Sequence, residues 1–154
     1  MKNLLLPALL FGWLIFDSTK NNVLNNIKFR FGGVFFDGIN GDLQSIRIGV
    51  RLIIDNNTPF SMPIDNFKGT VYFKEKEFAP LSQQEQGVVQ ANGSTTINYL
   101  LPIGQSQLIE AFGSFKKAVD FFKSAVSGGN FRLKGQITFR IANIVYYQDI
   151  DQVF

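Results

Sequence analysis

Histidine and cysteine are both missing from this chain of 154 residues. Their absence removes thiolate and imidazole metal sites, disulfides, cysteine nucleophiles and every triad that needs an imidazole base. Most hydrolytic machinery goes with them, and a chain without thiols is indifferent to the redox poise of its compartment. Charge of one sign is also scarce: the formal net charge is +3, too weak to hold a polyanion, and no basic segment is interleaved with base-stacking aromatics. These absences exclude nucleic acid as a partner and leave no constellation that would make the chain an enzyme. Tryptophan and tyrosine are sparse, at 1 and 4, whereas phenylalanine reaches 17, so the aromatic content points to a ring-rich interior. The length suits a single domain with a proper core.

The most ordered pattern runs from Ser45 to Phe78. Ile46, Ile48, Val50, Leu52 and Ile54 share one face, and Arg47, Gly49, Arg51 and Asp55 share the other, the period-two signature of a strand with one dry side. Asn56-Asn57-Thr58-Pro59-Phe60 breaks it with turn-forming residues. Phe67, Gly69, Val71 and Phe73 then alternate with Lys68, Thr70 and Lys74, and Lys74-Glu75-Lys76-Glu77 supplies a polar turn.

The phrases IRIGVRLIIDNNTPFSMPIDNFKGTVYF and ANGSTTINYLLPI, taken in this order, resemble the group 2 late-embryogenesis-abundant domain, also called the water-stress and hypersensitive-response domain. That family joins an alternating strand to an Asn-Pro-Asn-like break, a second strand built around a Gly, and a later Gly-Ser-Thr opening. Here the proline of the break stands two places later than in the family pattern. The resemblance covers the chain from about Val23 to its end. It implies a two-sheet sandwich with one helix packed on it shortly before the last strands, and a non-enzymatic role in desiccation or envelope stress through contact with membranes or proteins.

Elsewhere the residues speak for themselves. Ile27, Phe29 and Phe31 alternate with Lys28 and Arg30 before Gly32-Gly33, a glycine pair that marks a bulge or bend. The oxygen-bearing run Asp37-Gly38-Ile39-Asn40-Gly41-Asp42 lacks the spacing and terminal Glu of a calcium loop and reads as a hairpin turn. Pro80 to Ala91 is polar and reads as a loop with an exposed, edge-like strand. Asn92-Gly93 signals a hairpin into the strand Thr95–Ile103.

Between Gln105 and Val126 the period changes. Leu108, Phe112, Phe115, Val119, Phe122 and Val126 step by fours and threes, predicting one amphipathic helix of about five to six turns, with Ser106 near its cap and Gly128-Gly129 at its end. Its wide apolar stripe suits a core position; the lysines 116, 117 and 123 on its polar face suit a membrane surface. Phe131 to Ile141 alternates again, Asn143 marks a turn, and Val145 to Phe154 forms a last strand. Asp149 and Asp151 lie on one face of that strand and, with no third ligand nearby, read as solvent-facing charges. A terminal Phe and this length also suit a membrane barrel of eight strands, but the long central helix argues against one.

The amino terminus differs from the rest. After Met1-Lys2-Asn3, an apolar run from Leu4 to Phe16 is interrupted only by Pro7 and Gly12, and Asp17-Ser18-Thr19-Lys20 follows. As a helix of about 20 Å at ~1.5 Å per residue it falls short of the ~30 Å hydrocarbon core. Three readings stand: a signal sequence, for which the small residues of a cleavage site are lacking; an anchor held in one leaflet; and a plug buried in a partner subunit.

The sequence therefore predicts a mainly β protein. Residues 1–20 form a short hydrophobic N-terminal helix, and residues 23–154 form an antiparallel two-sheet sandwich of about seven strands, immunoglobulin or fibronectin type III-like, with one amphipathic helix. The expected role is structural: the sandwich docks to a membrane or to other subunits of a large assembly, such as a phage virion or an envelope complex, without a cofactor or metal. The docking residues are Leu4, Leu5, Leu6, Leu9, Leu10, Phe11, Trp13, Leu14, Ile15 and Phe16. The alternative is an exported stress-protective or lipid-binding protein whose Phe-rich interior holds an acyl chain. Self-association along an edge strand is a further expectation.

Overall fold

The computed structural model describes residues 23–41, 45–124 and 130–154. The predicted N-terminal helix and its ten docking residues lie outside them, as does Gly128-Gly129. Seven strands build two antiparallel sheets among the described residues. They are β1 (Ile27–Ile39), β2 (Ser45–Asn56), β3 (Met62–Phe73), β4 (Lys76–Val89), β5 (Gly93–Gly104), β6 (Phe131–Ile141) and β7 (Ile144–Val153). One sheet has the order β1-β2-β5 and the other β4-β3-β6-β7. The expected two-sheet sandwich is thus present, and it is not a closed barrel.

Alternation sets this arrangement. The β2 residues Ile46, Ile48, Val50, Leu52 and Ile54 are fully buried and face the inward residues of the opposite sheet. Aromatic contacts bridge the layers: Phe29 meets Phe139 at 5.8 Å between ring centroids, and Phe67 stacks on Tyr99 at 5.3 Å. The predicted bulge is real, with the register of β1 on β2 shifting between Phe31 and Gly33, and Gly33 at φ +102°. The turns at Lys74-Glu75 and Ala142-Asn143 both have paired positive φ, which suits tight hairpins.

Three expectations are corrected. The polar stretch from Pro80 to Ala91 is mostly strand, since β4 pairs with β3 from Lys76 to Val89. An edge strand needs partners on one side only, so it tolerates both Pro80 and a polar composition. Asn92-Gly93 does turn the chain, with Asn92 at φ 49°, but β4 and β5 belong to different sheets, so the turn is a crossing and not a hairpin.

The single amphipathic helix is two: α1 (Gln105–Phe112) and α2 (Phe115–Lys123). Gly113 closes α1 in the left-handed conformation, at φ 82°, and its N–H donates to Ile109 O at 2.7 Å. The Ser114 hydroxyl opens α2 by accepting from the Lys117 N–H at 3.2 Å. Gly104, not Ser106, is the N-cap of α1, and the Gln107 side chain accepts from its N–H. The break serves packing. In one straight helix, Phe112 and Phe121 would be about 13 Å apart along the axis, whereas their ring centroids are 4.9 Å apart.

Candidate functional site

The ends of the sandwich differ. At the helical pole, α1 and α2 cover the tops of β3, β4 and β6. Phe73, Phe78, Phe112, Phe121, Phe122 and Phe131 meet there, with centroids 4.8 to 6.3 Å apart. These rings pack against one another and close this end of the core. A surface cleft of about 460 Å³ remains beside them, between the β3–β4 turn and α1, with Phe73, Phe78 and Ala111 in its lining and Lys74, Lys76, Glu77 and Glu110 around it.

At the N-terminal pole the chain enters β1, and two of the three crossings between the sheets, β2 to β3 and β4 to β5, lie side by side. The Asn-Asn-Thr-Pro-Phe motif builds this pole. Asn56 is fully buried, which an amide tolerates only if it is hydrogen-bonded. Its Nδ2 donates to Phe60 O at 2.8 Å and to Gln90 O at 3.1 Å, and its Oδ1 accepts from the Thr58 N–H at 3.0 Å and the Thr58 hydroxyl at 2.7 Å. The Asn92 N–H donates to Thr58 O at 2.9 Å, and the Asn57 N–H donates to Asn26 O at 2.9 Å. One side chain thus fastens both crossings, and its neighbour fastens the start of β1.

The surface of this pole mixes exposed Asn25, Asn57, Ser61, Gln90 and Asn92 with a few exposed apolar side chains. Phe60, whose carbonyl is held by Asn56, leaves 51 % of its side chain and backbone exposed. Val88, register partner of Pro63, is exposed as well, as are Val145 and Tyr147 just after the β6–β7 turn. The carboxylates nearby are paired: Asp55 with Arg30 at 2.9 Å and Asp65 with Arg140 at 2.9 Å. The hydrogen bond from Arg30 holds Asp55 below the usual carboxylate range, and the same contact raises Arg30.

Asp149 and Asp151 are exposed on β7 as expected and each has a protein partner. Gln136 Nε2 donates to Asp149 at 3.0 Å, and Arg132 holds Asp151 at 2.6 Å while also reaching Glu75 at 3.1 Å. The Arg132 bond lowers the pKa of Asp151. No group of three or more potential metal ligands occurs among the described residues. No described helix is long and apolar enough to cross a membrane. In the core, the Tyr99 hydroxyl has no hydrogen-bond partner among the described residues, and burial pushes its pKa up.

Sequence reasoning found the Asn56–Phe60 break but read it only as a turn. The signal for more was an Asn and a Thr two places apart between strands bound for opposite sheets, a pattern whose side chains must satisfy backbone groups that neither ladder can reach.

The architecture defines a class, a Greek-key β-sandwich with a helical insertion between its fifth and sixth strands. Among solved structures, a structural-genomics target determined by X-ray diffraction aligns over 84 % of this chain and 84 % of its own, with a TM-score of 0.51 and 7 % identity. The solution structure of a protein described as late-embryogenesis-abundant aligns over 93 % of this chain and 85 % of its own, with a TM-score of 0.48 and 14 % identity. A solution structure from Arabidopsis thaliana covers 78 % of each chain, with a TM-score of 0.49 and 16 % identity. At these identities the likeness concerns the fold alone. No family model matches the sequence, and no curated protein matches it.

Proposed function

We propose that this protein is a non-enzymatic β-sandwich held at a lipid bilayer by its Leu4–Phe16 segment, and that it works by placing its surfaces there. One observation carries the reading: the chain leaves the apolar run and enters the sandwich at the pole that exposes Phe60, with Asn26 tied to the β2–β3 crossing. The apolar run precedes this pole in the chain, and the proposal sets this end of the sandwich toward whatever holds the segment. Paired carboxylates and the absence of histidine give the body no acid–base role at neutral pH.

Fractionation of native cells or particles tests this reading, combined with intact mass. A chain starting at Met1 in the membrane pool, resistant to high salt and released by detergent, is the expected result. Release of the chain on deletion of residues 2–20 completes it. Unchanged association after that deletion, or retention in a lipid-free protein complex, overturns it.

The sequence resemblance favours a second reading, an exported stress-protective protein whose N-terminus is a removable address. Its mark would be a soluble mature chain beginning near Asn21.

A further inference from the structure

We infer that a cleft beside the β1 bulge is a binding site for a small aromatic carboxylate, whose acid group is held by the Arg51 guanidinium and the Lys123 ammonium while its ring is buried among phenylalanines. The inference goes beyond the anchoring reading and does not depend on it.

The cleft measures about 430 Å³ and opens between the Gly32-Gly33 bulge of β1 and the last turn of α2. That volume lies at the small end of ligand pockets, roughly 300–1,000 Å³. Val34, Phe36, Phe122 and Phe154 give it an apolar lining, and its charged residues are Arg51 and Lys123. No aspartate or glutamate lines it.

The charge left over at this cleft sets it apart from the rest of the surface. Arg30, Arg47, Arg132 and Arg140 are each paired with an aspartate, respectively Asp55, Asp37, Asp151 and Asp65. Arg51 is the remaining arginine. Among the described residues it makes no ion pair, either with a side chain or with the carboxylate of Phe154, and neither does Lys123. The carboxylates closest to them in sequence are engaged elsewhere, Asp55 by Arg30 and Asp120 by Lys116.

Both cations are held in place. The Phe35 ring packs across Gly49, its register partner, where a Cβ would stand 1.9 Å from the ring. The Arg51 stem lies against Gly32, where a Cβ would stand 2.9 Å from its Cγ, and its guanidinium sits over the Phe35 ring at 5.2 Å from the centroid. From α2, Lys123 Nζ stands over Phe36 at 5.8 Å. Two exposed cations without a counter-ion, held on neighbouring rings beside an apolar cleft, select an anion with an apolar body. A ring suits this lining better than an acyl chain, because the cleft is compact and aromatic pairs gain more than area burial alone provides.

Calorimetric titration with naphthoate at neutral pH and low salt tests the site. The full-length chain is held in phosphatidylcholine nanodiscs, with empty discs as the blank, or kept free in buffer where it does not incorporate. Saturable one-to-one binding is expected. Arg51→Gln and Lys123→Gln should each weaken it by about tenfold, the order of one charge-assisted hydrogen bond. Lys134→Gln removes the same charge from an exposed lysine stacked on Tyr72, outside the cleft, and should leave binding unchanged. Naphthylmethanol, the neutral isostere, should bind more weakly than naphthoate. Melting temperatures equal to the parent's show that the variants keep the fold. No saturable binding overturns the inference, as does equal weakening by Lys134→Gln or equal binding of naphthylmethanol. Decanoate binding as tightly as naphthoate overturns the aromatic class of ligand. None of these readouts registers what holds the chain, so their failure leaves the anchoring reading standing.

Discussion

The carboxamide of Gln152, on the edge strand of one sheet, clasps the backbone of Phe31 on the edge strand of the other. Its Oε1 accepts from the Phe31 N–H and its Nε2 donates to Phe29 O. A strand edge left open is a site for pairing with another chain, and here one side chain supplies both bonds that a neighbouring strand would have made. The terminal Phe154 adds to the closure, with its ring 5.7 Å from that of Phe31 and against Gly33.

Replacing Gln152 with Ala should therefore destabilise the sandwich by about 1–3 kcal/mol, the penalty for leaving part-buried backbone groups unpaired. Urea denaturation of the variant measures it. If self-association along this edge is latent, the same variant should also show a concentration-dependent sedimentation coefficient that the parent lacks.

Asn56 carries a larger share. Asn56→Ala strips partners from Phe60 O, Gln90 O and the Thr58 N–H, with an expected loss of roughly 2–4 kcal/mol. Asn56→Asp is the sharper probe. It keeps Oδ1 but turns the donor toward two carbonyls into an acceptor, so it should be at least as damaging at neutral pH and partly recover as the pH falls and the buried acid is protonated.

Gly69 and Gly135 are register partners in the middle of the four-stranded sheet. A Cβ on Gly69 would lie 2.5 Å from Lys134 O, and one on Gly135 would lie 2.5 Å from Lys68 O. Backbone cannot yield as a flexible side chain can, so Gly69→Ala and Gly135→Ala should each cost about 3 kcal/mol, at the top of the overpacking range. Gly41→Ala, with nothing near its Cβ among the described residues, is the control. Equal melting temperatures for all three would contradict the close approach.

Stability should hardly change between about pH 5.5 and 8, since the chain has no histidine to titrate there. Asp55 and Asp151 have folded pKa values lowered by Arg30 and Arg132, so the stability they add is present above the ordinary carboxylate pKa and is lost as the pH falls through the lowered values. Asp151 is exposed and Asp55 partly so, which keeps the effect small. Melting curves across acid pH should show a shallow decline that Asp55→Asn and Asp151→Asn make shallower still.

Much of this fold was legible because period-two alternation is strong in β1, β2, β3 and β6, where one side of each strand is dry. Gly32-Gly33 and Asn143 announced their bulge and turn through backbone chemistry that few other residues supply. The misreadings share a cause. For β4 the pairing lies in the backbone, and a strand whose outer side meets water keeps little hydrophobic signal. Across α1 and α2 the apolar stripe continued through Gly113-Ser114, although that pair is a stop followed by a start. Periodicity sees which face is dry but not whether the axis bends, and the six-ring cluster decides the bend. The Asn92-Gly93 turn was visible, but its destination depended on which sheet already held β2. Of the candidate site, the break was visible while the reach of Asn56 to Gln90, 34 residues onward, was not.

The fastening at Asn56 also governs how the molecule can come apart. Three of its four bonds stay within residues 56–60, and the fourth reaches Gln90 just after β4, so the complete set needs both the loop and the end of β4 in place. A chain in which the end of β4 is not in place would leave the Asn56 amide without its bond to Gln90 O. Partly folded forms are thereby penalised, so amide hydrogens in β2 and β3 should exchange through one shared opening event.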